Sequence, residues 1–515
     1  MRGGVRHFSS AASGAFSHVK KVAVIGGGVA GLNAARALTA GGFKVVLFEA
    51  APELGGVWRS NYSGFGLQVP RNLYEFLDFP FDAVPSWTYP TGAQVQAYIR
   101  AFAARFVAPA AEVRTSTAVE ALAPRSDGAR GWAVTARAAG GAPPAQPEDF
   151  DFVAVCTGMY CTPSVPTLPN DGFAGAVVHS TAFTDASAAK GKHVVVLGGA
   201  KSALDCAVAA ADAGAASTTL LSRSAHWGTP RNIAGLIPFQ FVFLSRFGQA
   251  LVSWFKGPLP GAPRSVGVAH ALLRPIMRPI FGVVEALFAF QLALRGARAP
   301  PLDVVADFYG FGQVLDSSFQ ERAADGRIRV VRGEGGALTR GGLALRGAGE
   351  GAAPLPCDLV VAATGFKKGY QYLPEGARGS LLRGAGGGED GLFLYRNIIP
   401  TGVQDLAFVG SEVATISNVA THGIQAEWLT RVLQGRVVLP AAADMQRSVD
   451  AQAEWARAWM PATPSRANLV LLHQTHYHDA LLKDMGVPHR RKGGLGVAEV
   501  LMPYRPADYF GIVGT

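Results

Sequence analysis

The 515-residue chain is longer than one hydrophobic core normally supports, so two or more domains are expected. Hydrophobic residues make up 49% and charged residues 16%, which excludes a disordered chain, and the 63 glycines keep no triplet period, which excludes a collagen-like one. The formal charge of +10 comes without a basic run interleaved with aromatics and without zinc-ligand spacing, so it reads as a diffuse field for a phosphorylated dinucleotide and not as a nucleic-acid surface.

At the N-terminus, no acidic residue precedes Glu49, and Met1–His18 carries Arg2, Arg6 and four serines. That composition is either an organelle transit peptide or a short disordered tail. Arg6-His7-Phe8-Ser9 resembles a mitochondrial processing site, so an organelle, mitochondrial or other, is expected with the cytoplasm as the alternative.

The next segment predicts strand, glycine turn, helix and strand in order. Val22–Ile25 reads as a buried strand, Gly26, Gly28 and Gly31 supply G-x-G-x-x-G, a helix follows from Val29 to Ala40, and a second strand, Lys44–Phe48, ends in Glu49. Gly26 allows the tight turn, Gly28 lets a pyrophosphate approach, and Gly31 lets helix and strand pack closely. The helix N-terminus offers amide N–H groups to phosphate, and Glu49 accepts from ribose hydroxyls while repelling a 2′-phosphate.

Further on, Cys156 and Cys161 have C-x4-C spacing, but they lie at a strand end and away from the first fold, where a flavin disulfide reductase carries its pair. With Cys206 and Cys357 they make four cysteines, too few for a disulfide framework, which favours a reducing, intracellular compartment.

A second unit repeats the pattern: strand His193–Leu197, a turn, a helix, and strand Thr218–Leu221. Its fingerprint keeps Gly198 but has Ala200 and Ala203 at the other glycine positions, with Lys201 and Ser202 at the helix start for phosphate oxygens. After the second strand stands Arg223 instead of an acid, and a guanidinium there suits the 2′-phosphate of NADPH. An acid-terminated site beside a base-terminated one is the electrostatic pattern of FAD in the first and NADPH in the second. Two such sites imply hydride transfer from nicotinamide to flavin.

Beyond it, Ile233–Leu244 and Ile280–Leu294 are strongly apolar but shorter than a membrane span, and Glu285 interrupts the second. Trp254, Phe255, Arg274 and Arg278 lie between them. The region suits either a buried or lid-like helical insertion or a peripheral membrane contact.

Phe173–Phe183 fits F-x-G-x-x-x-H-x-x-x-[YF], with His179 in the middle, and resembles the identifying sequence of flavin-containing monooxygenases. Gly55-Gly56-Val57-Trp58 resembles the GG-x-W element near flavin, and Cys156-Thr157-Gly158 with Ala363-Thr364-Gly365 resembles the paired TG crossings between domains. Leu406–Gly410 resembles the late flavin-contacting strand and turn, and the stretches GGAKSALD, LQVPRNLYEFLDFPF and QAEWLTRVLQGRVVLP are similar to the plant branch. The resemblance implies an α/β fold of two Rossmann-like domains, with an NADPH domain inserted in an FAD domain. It places the FAD domain at 19–183 and 357–515, and the NADPH domain at 184–356 with a helical insertion around 233–295, behind the leader or tail at 1–18.

The implied activity is oxygenation of a nucleophilic nitrogen or sulfur of a small molecule by O2, through a C4a-hydroperoxyflavin. Gly26, Gly28, Gly31, Glu49, Gly56, Trp58 and Gly410 are then expected to hold FAD, and Gly198, Lys201, Ser202 and Arg223 to hold NADPH. Gln68 stands where animal-type members carry an asparagine that steadies oxygen on the flavin, and it offers the same amide on a longer arm. Baeyer–Villiger oxygenation of ketones is the competing enzyme reading, with a tryptophan expected where Phe183 stands. A degenerate flavoprotein, oxidising NADPH or only binding it, is the other alternative.

Overall fold

The computed structural model describes residues 15–514, apart from 142, 144, 263, 350, 383–391, 459–469, 471–472 and 494–495. The segment read as a leader therefore lies, up to residue 14, outside the described residues.

Two five-stranded parallel sheets organise the chain. In the first, Lys21–Ile25 sits at the centre between Lys44–Phe48 and Phe152–Val155, and Glu112–Arg114 and Leu406–Phe408 form the edges. Its inner strands read VAVI, VVLF and FVAV, the near-continuous apolar runs that a sheet covered on both faces requires. In the second, His193–Leu197 lies between Ser217–Ser222 and Leu359–Ala362, with Ile328–Arg332 and Ala176–His179 outermost. Ala176–His179 and Leu359–Ala362, expected in the two FAD segments, are thus strands of the second sheet.

The chain crosses between the sheets twice, and the crossings touch. Thr162–Pro163 pairs antiparallel with Phe366–Lys367, and the Ser164 amide donates to the Gly365 carbonyl at 2.9 Å. The late helix Asn418–Leu433 is buried almost all round and packs along Val29–Ala40, closing the first unit with residues nearly four hundred positions downstream.

Between strands Ser217–Ser222 and Ile328–Arg332 of the second sheet the chain forms helices Phe239–Phe243, Arg246–Lys256 and Arg264–Gln291. The third carries two internal prolines, Pro275 and Pro279. Phe239, Met277, Phe281 and Phe288 from this region join the same buried core as Leu32, Leu38 and Trp428, so the insertion packs onto the first unit. Among the described residues no helix is long and apolar enough to cross a membrane.

Candidate active site

The first glycine turn leaves strand Lys21–Ile25 and enters helix Val29–Ala40 with Gly28 as its N-cap. Gly26 has φ +107°, and a Cβ there would meet the Cys156 carbonyl oxygen at 2.7 Å. A Cβ on Gly31 would lie 1.8 Å from the Gly26 carbonyl oxygen, so helix and turn meet at a distance only glycine permits. Gly28 is different. A Cβ there meets only the backbone of Gly56, at 3.6 Å, so Gly28 and Gly56 face each other across a gap without side chains.

The helix start has no side-chain cap and no acid in its first turn, which leaves its N–H groups to a ligand. Glu49 follows strand Lys44–Phe48; Oε2 accepts from the Gly27 amide at 2.7 Å and Oε1 from the Ala51 amide at 2.8 Å. Two fixed amides orient the carboxylate and leave each oxygen a further lone pair for hydroxyl donors.

Trp58 donates from Nε1 to the Tyr74 hydroxyl at 2.7 Å and stacks on Phe65, with centroids 5.9 Å apart. Both rings line a cleft of about 560 Å³ with Glu53, Arg59, Gln96 and Arg100. Gln96 donates to the Leu54 carbonyl, while its buried Oε1 has no partner. On the far side, Gly410 has φ +67°, donates its amide to Gln425 Oε1 at 2.9 Å, and is so close to Ala30 and His422 that a Cβ would overlap both. His422 is buried with neither ring nitrogen partnered, and burial lowers its pKa to about 4. These residues fit FAD: an uncapped helix start, a side-chain-free gap, an acid at the second strand and unpartnered buried polar atoms nearby.

In the second unit, a Cβ on Gly198 would lie 2.4 Å from the Ala363 carbonyl oxygen. Ala203 is fully buried in that unit's core, so the replaced third glycine still packs helix to strand. The helix Lys201–Asp212 also starts without a side-chain cap or an acid in its first turn. Lys201 is ion-paired with Asp205 one turn on, so here its ammonium is held by a carboxylate. Asp205 also accepts from the Tyr62 hydroxyl at 2.9 Å, a contact reaching across from the loop after Trp58.

Ser202 is half-buried and makes no side-chain hydrogen bond among the described residues. Arg223, just past strand Ser217–Ser222, is exposed and has no ion pair among the described residues. An unpaired guanidinium there and an uncapped helix start fit a phosphorylated dinucleotide.

Gln68 lies at the seam of the two units, its Oε1 accepting from the Val314 amide at 3.0 Å. His179 ends strand Ala176–His179. Its Nδ1 accepts from the Thr181 amide at 3.3 Å, which assigns the proton to Nε2, the nitrogen that donates to the Gly365 carbonyl at 2.9 Å. Burial lowers its pKa and keeps it neutral. It therefore holds the crossing strands together.

Cys156 is buried and Cys161 exposed, and both are free thiols. Burial pushes the Cys156 thiol up, which suits a structural residue.

Sequence reasoning passed over Arg59, Gln96, Arg100, His422 and Tyr62. Only Arg59 had a signal, its position directly after the GG-x-W element; the others reach the site through tertiary folding.

The profile of a family described as FMO-like, flavin-binding monooxygenase-like, matches residues 19–260. The chain is 28% identical to a probable flavin-containing monooxygenase 1 of Arabidopsis thaliana, over 95% of this chain and 96% of that protein. It is 25% identical to flavin-containing monooxygenase 3 of Macaca mulatta, over 85% and 78%. Among solved structures it resembles an S-allyl-L-cysteine S-oxygenase from Allium sativum, with TM-score 0.58, 19% identity and coverage of 91% and 89%. It also resembles a steroid monooxygenase bound to NADP, with TM-score 0.62, 19% identity and coverage of 90% and 97%.

Proposed function

The chain belongs to the flavin-containing monooxygenase family, oxidoreductases that use FAD and NADPH, and from that premise we propose that it oxygenates a nucleophilic nitrogen or sulfur of a small molecule. The observation that carries the choice of branch is the end of the Phe173–Phe183 motif: Phe183, buried, stands where the ketone-oxygenating branch is expected to have tryptophan. Bound, the two cofactors supply hydride transfer and oxygen activation.

What the chain contributes is placement and exclusion. Gly28, Gly56 and the start of helix Val29–Ala40 receive the FAD pyrophosphate, Glu49 takes the ribose, and Trp58 and Gly410 border the remainder. Gly198, Ser202 and Arg223 receive NADPH, with Arg223 on the 2′-phosphate and Lys201 reaching a phosphate from its pairing with Asp205. Gln68 offers an amide at the seam, where one end is already fixed by Val314 and the other remains to donate. The FAD unit is built from the chain before the first crossing and after the second, and the NADPH unit from what lies between.

The test is product analysis with NADPH, O2 and a panel of amines, thioethers and cyclic ketones. N-oxides, hydroxylamines or S-oxides in step with NADPH consumption are expected. Lactones or esters from the ketones would move the chain to the Baeyer–Villiger reading, and peroxide alone would leave an NADPH oxidase.

A further inference from the structure

Tyr62 belongs by sequence to the first unit but packs on the second. Between Trp58 and Gln68 the chain runs without a helix or a strand of its own, so its position is set by what it touches. The Tyr62 ring meets Phe65 edge-on, with centroids 6.1 Å apart, and Phe65 stacks in turn on Trp58. The same ring packs against the buried core of the second unit, the cluster that includes Phe183, Val196, Leu204 and Leu220.

Three hydrogen bonds carry this loop across the seam. Ser63 donates its amide to the Phe183 carbonyl at 2.7 Å, Gln68 accepts from the Val314 amide at 3.0 Å, and the Tyr62 hydroxyl donates to Asp205 Oδ2 at 2.9 Å. The first two each use a main-chain N–H. The third joins two side chains and has a carboxylate as acceptor, which makes it the strongest of the three. Burial first, and then the neighbouring Asp205 carboxylate, raise the Tyr62 phenol well above its usual pKa, so it stays a donor.

Asp205 is placed to hold that donor. It lies one turn into helix Lys201–Asp212, whose start carries no side-chain cap. Its Oδ1 pairs with the Lys201 ammonium four residues back, which leaves Oδ2 to Tyr62. One carboxylate therefore touches two things at once: the lysine at the start of the second dinucleotide helix, and the loop that runs from Trp58 to Gln68. Hydride transfer needs reacting atoms about 3–3.5 Å apart, and a misplacement of roughly 1 Å can cost about a hundredfold in rate.

On the reading that the first unit holds FAD and the second NADPH, we propose that Tyr62 and Asp205 are positioning residues for flavin reduction. Their hydrogen bond fixes the FAD-side loop on the NADPH-side helix and so sets the approach of nicotinamide to flavin. Neither residue moves a proton in the transfer.

The test is anaerobic stopped-flow reduction of the FAD-loaded protein, which separates the limiting rate at saturating NADPH from the NADPH dissociation constant. Tyr62→Phe keeps the ring and loses the hydroxyl. It should lower the limiting rate about tenfold or more, the factor expected of a hydrogen bond to a charged group, and leave the dissociation constant nearly unchanged. Asp205→Ala should lower the rate by a similar factor and the double variant no further, because both remove one interaction. Asp205→Ala also frees Lys201, which bears on affinity and not on the limiting rate. Asp205→Asn, whose side-chain carbonyl still accepts from Tyr62, should recover much of the rate. Dithionite, which needs no nicotinamide, should reduce every variant as fast as the wild type. The inference is overturned by wild-type rates in Tyr62→Phe, by a loss confined to NADPH affinity, or by losses that multiply in the double variant. No recovery in Asp205→Asn, or slowed reduction by dithionite, overturns it as well. A wild-type flavin that NADPH does not reduce would overturn the cofactor reading itself, and this inference with it.

Discussion

Glu49 and Arg223 occupy equivalent places, each following the second strand of a dinucleotide fold, and they differ in charge and in commitment. Two backbone amides pin the carboxylate, whereas the guanidinium is exposed and unpaired among the described residues. Arg223→Ala should therefore raise the KM for NADPH about 10- to 100-fold and leave that for NADH nearly unchanged, since a charge-assisted hydrogen bond contributes ~1.5–3 kcal/mol. Equal losses with both nucleotides in steady-state kinetics would remove Arg223 from the 2′-phosphate. The two glycines of the first turn separate binding from folding. Gly28→Val points into the gap before Gly56, so the protein should fold and emerge colourless. Gly31→Ala drives a methyl into the Gly26 carbonyl, so it should lose flavin and also melt earlier, by about 1–3 kcal/mol of overpacking. Thermal scans with flavin absorbance distinguish the two.

Among the elements, the paired crossings Thr162–Pro163 and Phe366–Lys367 set how the two units face each other, and His179 ties the second crossing to the second sheet. His179→Ala should slow flavin reduction by NADPH at least about tenfold, because small misplacements of reacting groups are costly. FAD retention should not change. His179→Gln, whose amide can donate to the Gly365 carbonyl, should recover most of the rate; stopped-flow measurement of both variants decides it. Elements of this kind were unevenly legible. The strands and helix of each fingerprint were readable because apolar runs, glycines and a terminal charge coincide within thirty residues. Ala176–His179 was read into the first unit because it precedes the second fingerprint, and nothing local says that it pairs with Leu359–Ala362. Only the C-terminal part of helix Arg264–Gln291 was legible, within the apolar run Ile280–Leu294, because Pro275 and Pro279 break helical patterns in isolation, and here tertiary packing of Met277, Phe281 and Phe288 overrides them. Gln96 and His422 carry no periodic or motif signal, so only the buried, unpartnered Oε1 of the first and ring nitrogens of the second mark them.

At the scale of the molecule, the closing helices Asn418–Leu433 and Gln474–Asp484 concentrate buried histidines. Burial lowers His422 to about 4, His473 and His478 to about 3, and His476 below its usual value as well. A histidine near 6.5 in the unfolded chain and depressed in the fold binds its proton only on unfolding, so its stabilising effect is complete above about pH 6.5 and falls as pH drops toward 4. Glu427 acts in the opposite sense. Burial raises it to about 7, so the folded state holds its proton longer and that contribution declines as pH rises from about 4.5 to 7. Four histidines against one glutamate predict a net loss of stability on acidification from pH 6.5 to 4. Urea midpoints across that range should show it, and His478→Gln, which keeps a polar side chain beside Thr421, should flatten the slope. An unchanged slope in that variant would mean that other groups carry the acid sensitivity.

The packing of Asn418–Leu433 along Val29–Ala40 also has a consequence for biogenesis. The first dinucleotide helix leaves the ribosome early, but the element that covers it is translated nearly four hundred residues later. At roughly 5–20 residues per second that interval lasts on the order of tens of seconds. By the time Ala362 has emerged the second sheet has all its strands, while the first glycine turn still lacks this wall. The inserted unit can therefore fold first, and the side of Val29–Ala40 that Asn418–Leu433 covers waits for the C-terminal third to arrive.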